Sequence, residues 1–255
     1  MSPQACEQLR EAAHRIVRNT DLEAQQLAFD PVDQSHGDDP WFLDSGAEVR
    51  AFLEPQRDRG KLRVNKLGHG LHDRLPLFDR FSRDPRIKAL ICELGIRNAL
   101  LLQSMVIFKH PRVGAAVPAH QDASYLYTEP HSVIGLWFAL EPSSAENGAL
   151  QVLPGGHRQS LRSRYHRVDN KTFTERLDPT PLPRAGWRTI EASTGTLIAF
   201  HGHLPHRSPA NRSAHARCAY TLHVIDAAAD YAADNWLQRP ADRPLRGFDR
   251  STEIK

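Results

Sequence analysis

The chain has no long hydrophobic run: none of its apolar stretches approaches the ~20 residues that a helical membrane span requires. Where a secretory signal would need an uninterrupted apolar stretch, the N-terminus carries EQLREAAHR, so no such signal is read there. Cysteine is scarce. Cys6, Cys92 and Cys218 are odd in number, far apart and without a CxxC pair, which argues against a disulfide framework and for a reducing, cytoplasmic setting. Basic residues do not form a block. The net charge is only +3, and the densest cluster, RSRYHR at 162–167, reads as a solvated loop rather than a nucleic-acid footprint. GxSxG, P-loop and GxGxxG patterns are missing, which removes the commonest signatures of serine hydrolases, nucleotidases and dinucleotide enzymes.

What is present is the composition of a soluble globular protein, 40% hydrophobic and 25% charged over 255 residues, enough for one domain with a substantial core. Ser2-Pro3 reads as a helix start, with Leu9, Ala13, Ile16 and Val17 on one face. Residues 19–60 read as polar and irregular, with DPVDQSHGDDP at 30–40 the clearest loop. Asp84-Pro85 opens a second helix with Ile87, Leu90, Ile91 and Leu94 as its stripe and Gly95 as its stop. After residue 100 the texture changes to short β-like runs at 100–110, 133–140, 149–153, 187–191, 196–200 and 217–225, separated by turn residues such as Glu146-Asn147-Gly148. Helices first and short strands afterwards predict a mainly β barrel or sandwich with N-terminal helices. The expected layout is a single domain: a helical part over about 1–98, a barrel over about 100–226 and a tail over 227–255. The Arg- and Pro-rich segment 157–186 reads as a long loop across a barrel mouth.

The chemistry begins at His120-Gln121-Asp122. Side chains at i and i+2 of extended backbone leave one face, so an imidazole and a carboxylate would point together. A divalent metal needs a third ligand, and the two-histidine, one-carboxylate set is the one used by non-haem Fe(II) oxygenases. HGHLPHRS at 201–208 offers His201, His203 and His206. The expected cosubstrate, 2-oxoglutarate, carries a distal carboxylate that suits the planar fork of an arginine. Eleven positions after His206 comes Arg217, at the start of the alternating run 217–225; eleven after His201 comes Arg212, in a turn-like stretch. An anchor needs fixed geometry, which favours His206 with Arg217. His201 and His203 are then strand-end residues, His69 and His72 rim or surface residues, and His157 a brace for its turn.

Taken together, HQDASYLYTEP (120–130), ENGALQVLPGGH (146–157), HGHLPHRS with Arg217, VNKLGHGLHD (64–73), QSMVIFK (103–109) and NWLQ (235–238) resemble the phytanoyl-CoA dioxygenase family. The resemblance spans roughly residues 60–240. It implies a double-stranded β-helix (jelly-roll, cupin-like) fold, Fe(II) held by His120, Asp122 and His206, and Arg217 on the distal carboxylate of 2-oxoglutarate. By position it adds Lys66, Met105 and Trp137 to the cosubstrate pocket. Lys66 is a sensible partner for an anion on chemical grounds alone, whereas Met105 and Trp137 would otherwise read as core. The implied activity is oxidation, most simply hydroxylation, of a small organic substrate by O₂, with 2-oxoglutarate released as succinate and CO₂ and ascorbate as a reductant. The retained Asp122 favours hydroxylation over halogenation, since related halogenases lack that carboxylate. Family members usually carry an extra apolar segment before the first helix; the expectation here is a trimmed start or a lost edge strand.

Two other readings stand beside this one: a barrel that binds a metal or small molecule without turnover, and a zinc hydrolase. Arg217 and Lys66 count against the hydrolase. Tyr125 and Tyr127 are read as lining the substrate side or packing in the core, and Arg158, Arg162 and Arg164 as suiting an acidic substrate or simply facing solvent. The expected partner is a small molecule, with no membrane or nucleic acid, and the chain a monomer or weak homodimer.

Overall fold

In the computed structural model, which describes residues 1–24, 27–29 and 36–249, the strands form two main antiparallel sheets. The larger, seven-stranded sheet runs in the order Val49–Leu53, Val64–His69, Ala99–Lys109, Arg217–Asp226, Ile134–Ala139, Leu197–His201, with the short Arg246–Gly247 strand also paired to Ala99–Lys109. The smaller, four-stranded sheet orders Arg188–Ile190, Leu150–Val152, His206–Ser208 and Val117–His120. From Ala99–Lys109 onward the chain crosses back and forth between the two sheets, the double-stranded β-helix that the family resemblance implies.

The strand Arg217–Asp226 shows what each face is for. Cys218, Tyr220, Leu222 and Val224 pack outward with Cys6, Leu9 and Ala13 of the first helix and Phe78, Phe81, Ile87 and Ile91 of the later ones. Arg217, Thr221 and His223, of the opposite parity, line the cavity between the sheets. Both faces are covered, so all but its last residue are buried. The helices start as their caps dictate: the Ser2 hydroxyl accepts from the Ala5 N–H at 3.2 Å, and the Asp84 carboxylate from the Arg86 N–H at 2.9 Å. Gly95, at φ +100°, supplies the left-handed residue past the second of these helices. Leu94 is exposed rather than part of that helix's buried stripe, because the helix ends at Glu93.

Several expectations need correction. Within 19–60, read as irregular, lie the helix Pro40–Leu43 and the strand Val49–Leu53; of the loop at 30–40, residues 30–35 lie outside the described ones. The strand Val64–His69 escaped notice because Asn65 and Lys66 are buried toward the cavity, so no apolar alternation marks it. The segment 157–186 is not a plain loop: Ser163–Val168 and Lys171–Arg176 form a hairpin, turning at Asp169 with φ +56°. Two of its arginines are engaged, Arg162 with Asp178 and Arg164 with Asp234, so neither is a free cation for a substrate, while Arg158 is exposed and does not border the cavity. His69 and His72 are wholly buried, their Nδ1 atoms 2.7 Å from the hydroxyls of Ser45 and Ser104 respectively. The segment after Asp226 packs inward, with Trp236 on the cavity and Phe248 in the core. No helix among the described residues is long and apolar enough to cross a membrane.

Candidate metal and cosubstrate site

The Val117–His120 and His206–Ser208 strands are neighbours in the smaller sheet, and their register sets His120 directly opposite His206. Gln121 continues extended (φ −119°, ψ 130°), so Asp122 emerges on the same side as His120 before the chain turns into a short 3₁₀ segment. One donor atom from each of His120, Asp122 and His206 lies within 4.8 Å of the other two. Asp122 Oδ1 is 3.6 Å from His120 Nε2 and 3.5 Å from His206 Nε2. Each imidazole turns its other nitrogen to a backbone carbonyl, His120 Nδ1 to Pro118 O at 2.9 Å and His206 Nδ1 to Leu204 O at 3.0 Å. Those contacts select the tautomer with Nδ1–H, leaving both Nε2 lone pairs aimed at the space beside Asp122, the usual arrangement for metal-binding histidines. Burial lowers the His206 pKa to about 4, which keeps that imidazole neutral and able to donate its lone pair.

The wall opposite is Arg217. It is buried, and its Nη2 donates to Gly148 O and to Ser208 Oγ, each at 2.7 Å. Burial lowers its pKa to about 10, still leaving it a cation at neutral pH. Its Nε, also buried, has no hydrogen-bond partner among the described residues. A desolvated guanidinium with an unused donor is a costly arrangement unless an anion completes it. The turn Glu146-Asn147-Gly148 explains the anchor: Gly148 sits at φ +85°, and a Cβ there would come within 2.5 Å of Pro209 O. Trp137 lies beneath the guanidinium, its ring centroid 5.6 Å from Arg217 Cζ.

The seven residues assigned to metal and cosubstrate, His120, Asp122, His206, Arg217, Lys66, Met105 and Trp137, border one cavity of about 450 Å³. Met105 and Trp137 flank Thr221 on neighbouring strands. Lys66 stands apart in its setting, Nζ lying 3.3 Å from the Phe29 ring centroid with Phe52 and Phe42 beyond. Burial among these rings drives its pKa well below that of a free lysine. Tyr125 lines the cavity, whereas Tyr127 turns its hydroxyl to Glu129. His201 and His157 are exposed, and His203 packs edge-on against His131 with ring centroids 4.3 Å apart; none of the three borders the cavity. Arg212 is exposed and outside it too.

Ser208, Thr221 and His223 were not foreseen. The signal was there: with Arg217 facing inward, parity places Thr221 and His223 on the same face, and Ser208 falls two residues after His206. His223 Nε2 is 3.0 Å from Asp122 Oδ2.

The family model described as phytanoyl-CoA dioxygenase (PhyH) matches residues 1–219. An Arabidopsis thaliana phytanoyl-CoA dioxygenase is 37% identical over 240 residues, covering 91% of this chain and 84% of that protein. The Mus musculus phytanoyl-CoA dioxygenase domain-containing protein 1 is 36% identical over 225 residues, covering 83% and 77%. Among solved structures, apo EctD from S. alaskensis superposes with a TM-score of 0.65 at 18% identity, covering 94% of this chain and 75% of that one. EctD has also been solved with bound Fe, and with 2-oxoglutarate and 5-hydroxyectoine (TM-scores 0.55 and 0.54, 19% identity each, covering 72% and 68% of this chain, 65% and 60% of theirs).

Proposed function

The chain belongs to the phytanoyl-CoA dioxygenase family, and from that membership and the cavity's geometry we propose that it is an Fe(II)- and 2-oxoglutarate-dependent dioxygenase that hydroxylates a small organic substrate. The observation that carries this reading is the meeting of two chemistries in one cavity: three N/O donors converging on one point, and a buried guanidinium with an unused N–H.

His120 Nε2, Asp122 Oδ1 and His206 Nε2 would hold ferrous iron on one face, a donor set suited to that metal and one that leaves coordination positions open. Ferrous iron would let O₂ act as the oxidant, with two electrons drawn from 2-oxoglutarate, released as succinate and CO₂, and two from the substrate. The rest is done by the chain's own side chains. Arg217, braced by Gly148 and Ser208, would grip the distal carboxylate of 2-oxoglutarate as a charge-assisted pair. Trp137 and Met105 would wall its carbon chain, and Lys66, whose charge burial disfavours, would offer an amine N–H toward the same anion. Phe29, Phe42, Tyr125, Tyr165 and Trp236 form the apolar remainder of the cavity, where a substrate would displace water. The binding of Fe and 2-oxoglutarate by EctD, a structural neighbour of the same fold, supports this assignment.

The test is uncoupled turnover. Anaerobically loaded with Fe(II), then given ascorbate, 2-oxoglutarate and O₂ without a prime substrate, the protein is expected to form succinate slowly, and its Asp122→Ala variant is not. Failure of the wild type both to bind Fe(II) and to release succinate would leave a non-catalytic barrel as the better description.

A further inference from the structure

His223 is a residue to which the proposed chemistry gives no part, yet it makes the shortest contact to the carboxylate at the centre. It sits on the inward face of a strand paired on both sides, opposite Gln103 on one neighbour and Gly135 on the other. His223 and Asp122 side chains are 7% and 9% exposed, so water does not compete for their 3.0 Å contact. A carboxylate that ligates a metal is ionised and accepts only, so in this contact His223 Nε2 is the donor.

The two carboxylate oxygens thus have different neighbours. Oδ1 faces His120 and His206, while Oδ2 faces His223. Gly135 completes the cradle. A Cβ at that position would lie 2.9 Å from Asp122 Oδ2 and 2.6 Å from Phe200 Cε2, so only glycine leaves the carboxylate and the Phe200 ring in place. An unrestrained carboxylate can rotate and chelate a metal through both oxygens, occupying a position that a chelating cosubstrate needs.

We propose that His223 is a positioning residue that ties down Asp122 Oδ2, so that Asp122 offers only Oδ1 to the metal. The inference rests on the iron reading above. Outer contacts of this kind are worth about 10–100-fold in metal affinity.

The test uses Co(II) as the probe, titrated calorimetrically into the metal-free protein, with its visible absorption as a report on coordination number. His223→Leu is expected to bind Co(II) roughly 10–100-fold more weakly and with an altered spectrum. His223→Gln, long enough to place an amide N–H near Oδ2, is expected to recover most of both. His223→Asn, polar but too short, is expected to behave like the leucine variant and serves if that one does not fold. Unchanged affinity and spectrum in a folded leucine or asparagine variant overturn the inference while leaving the iron reading intact. Wild-type protein that binds no Co(II) overturns both. A purely packing role would lower the melting temperature of the variants without touching the Co(II) spectrum, and that result also counts against the proposal.

Discussion

His120 and His206 face each other across one antiparallel strand pair, with ring centroids 4.2 Å apart. Their separation in sequence is closed by a ladder whose register fixes both Cα positions, and each ring is pinned at Nδ1 by a carbonyl two residues upstream. Asp122 is carried along by one extended residue. The donor set is therefore built by the backbone of the smaller sheet, on rigid elements rather than on loop conformation.

Only the folded chain brings these three donors together, so metal binding is a stability term. A ligand that binds only the native state at about 100 times its Kd stabilises by about 2.7 kcal/mol, which for a chain of this length is a rise of roughly 5–11 °C in Tm. Adding Fe(II) anaerobically, or Co(II), is expected to produce a shift of this size, and chelator to reverse it. In His206→Ala the shift is expected to vanish. Calorimetry in the presence and absence of metal checks this, and an equal shift in the variant would mean the metal binds elsewhere.

Arg217→Ala is expected to raise the 2-oxoglutarate KM by about 10²–10³, since breaking a desolvated ion pair costs roughly 3–5 kcal/mol. Arg212→Ala is expected to leave that KM unchanged, because Arg212 is exposed and outside the cavity. Steady-state succinate release against 2-oxoglutarate concentration reads both variants. A reversed pattern would restore the alternative pairing with His201.

Ser208→Ala probes the support rather than the anchor. The Ser208 hydroxyl accepts from Arg217 Nη2 and donates to Gly148 O, so it orients the guanidinium from below. Hydrogen bonds to charged groups contribute about 1.5–3 kcal/mol, and the expected result is a rise of about ten- to a hundredfold in the same KM with little change in kcat. A fall in kcat alone would place Ser208 at the substrate instead.

How far the sequence revealed this arrangement depends on what each residue advertises. His120 and Asp122 were legible because i, i+2 spacing has one meaning in extended backbone, and the choice of Arg217 over Arg212 because one begins an alternating strand and the other a turn. Six strands from residue 99 onward carried apolar runs between turn residues and were readable in order; Val117–His120 and His206–Ser208, short and without an apolar run, were not. The strand Val64–His69 was not, since two of its six residues are polar and face the cavity, erasing the alternation on which strand reading depends. His69 and His72 looked like rim or surface residues because polar type suggests exposure; the serine hydroxyls that meet their Nδ1 atoms come from distant segments. The hairpin within 157–186 was hidden by its arginines, whose ion-pair partners are likewise set only by the fold.

Asp73 carries the last prediction. Its side chain is 8% exposed and accepts from Arg83 Nη2 at 2.9 Å and from Arg246 Nη2 at 2.7 Å, with His72 Nε2 at 3.2 Å and Arg239 also paired to it. Arg239 and Arg246 belong to the segment after the last long strand, so this carboxylate fastens that segment to the helices behind the larger sheet. Burial would push its pKa up, but His72 and the arginines overturn that and hold it well below the usual carboxylate range. A folded-state pKa below the unfolded one means the group stabilises the native state at pH values above the unfolded pKa of about 3.9, and that this contribution fades as pH falls toward the folded value. Removing one partner of a buried ionic network costs roughly 3–5 kcal/mol. Asp73→Asn is therefore expected to lower Tm at pH 7 by roughly 6–20 °C, at 2–4 °C per kcal/mol. The gap between variant and wild type is expected to narrow by pH 3. Melting curves at both pH values decide it, and a gap of constant size would mean that Asp73 matters through its shape and not its charge.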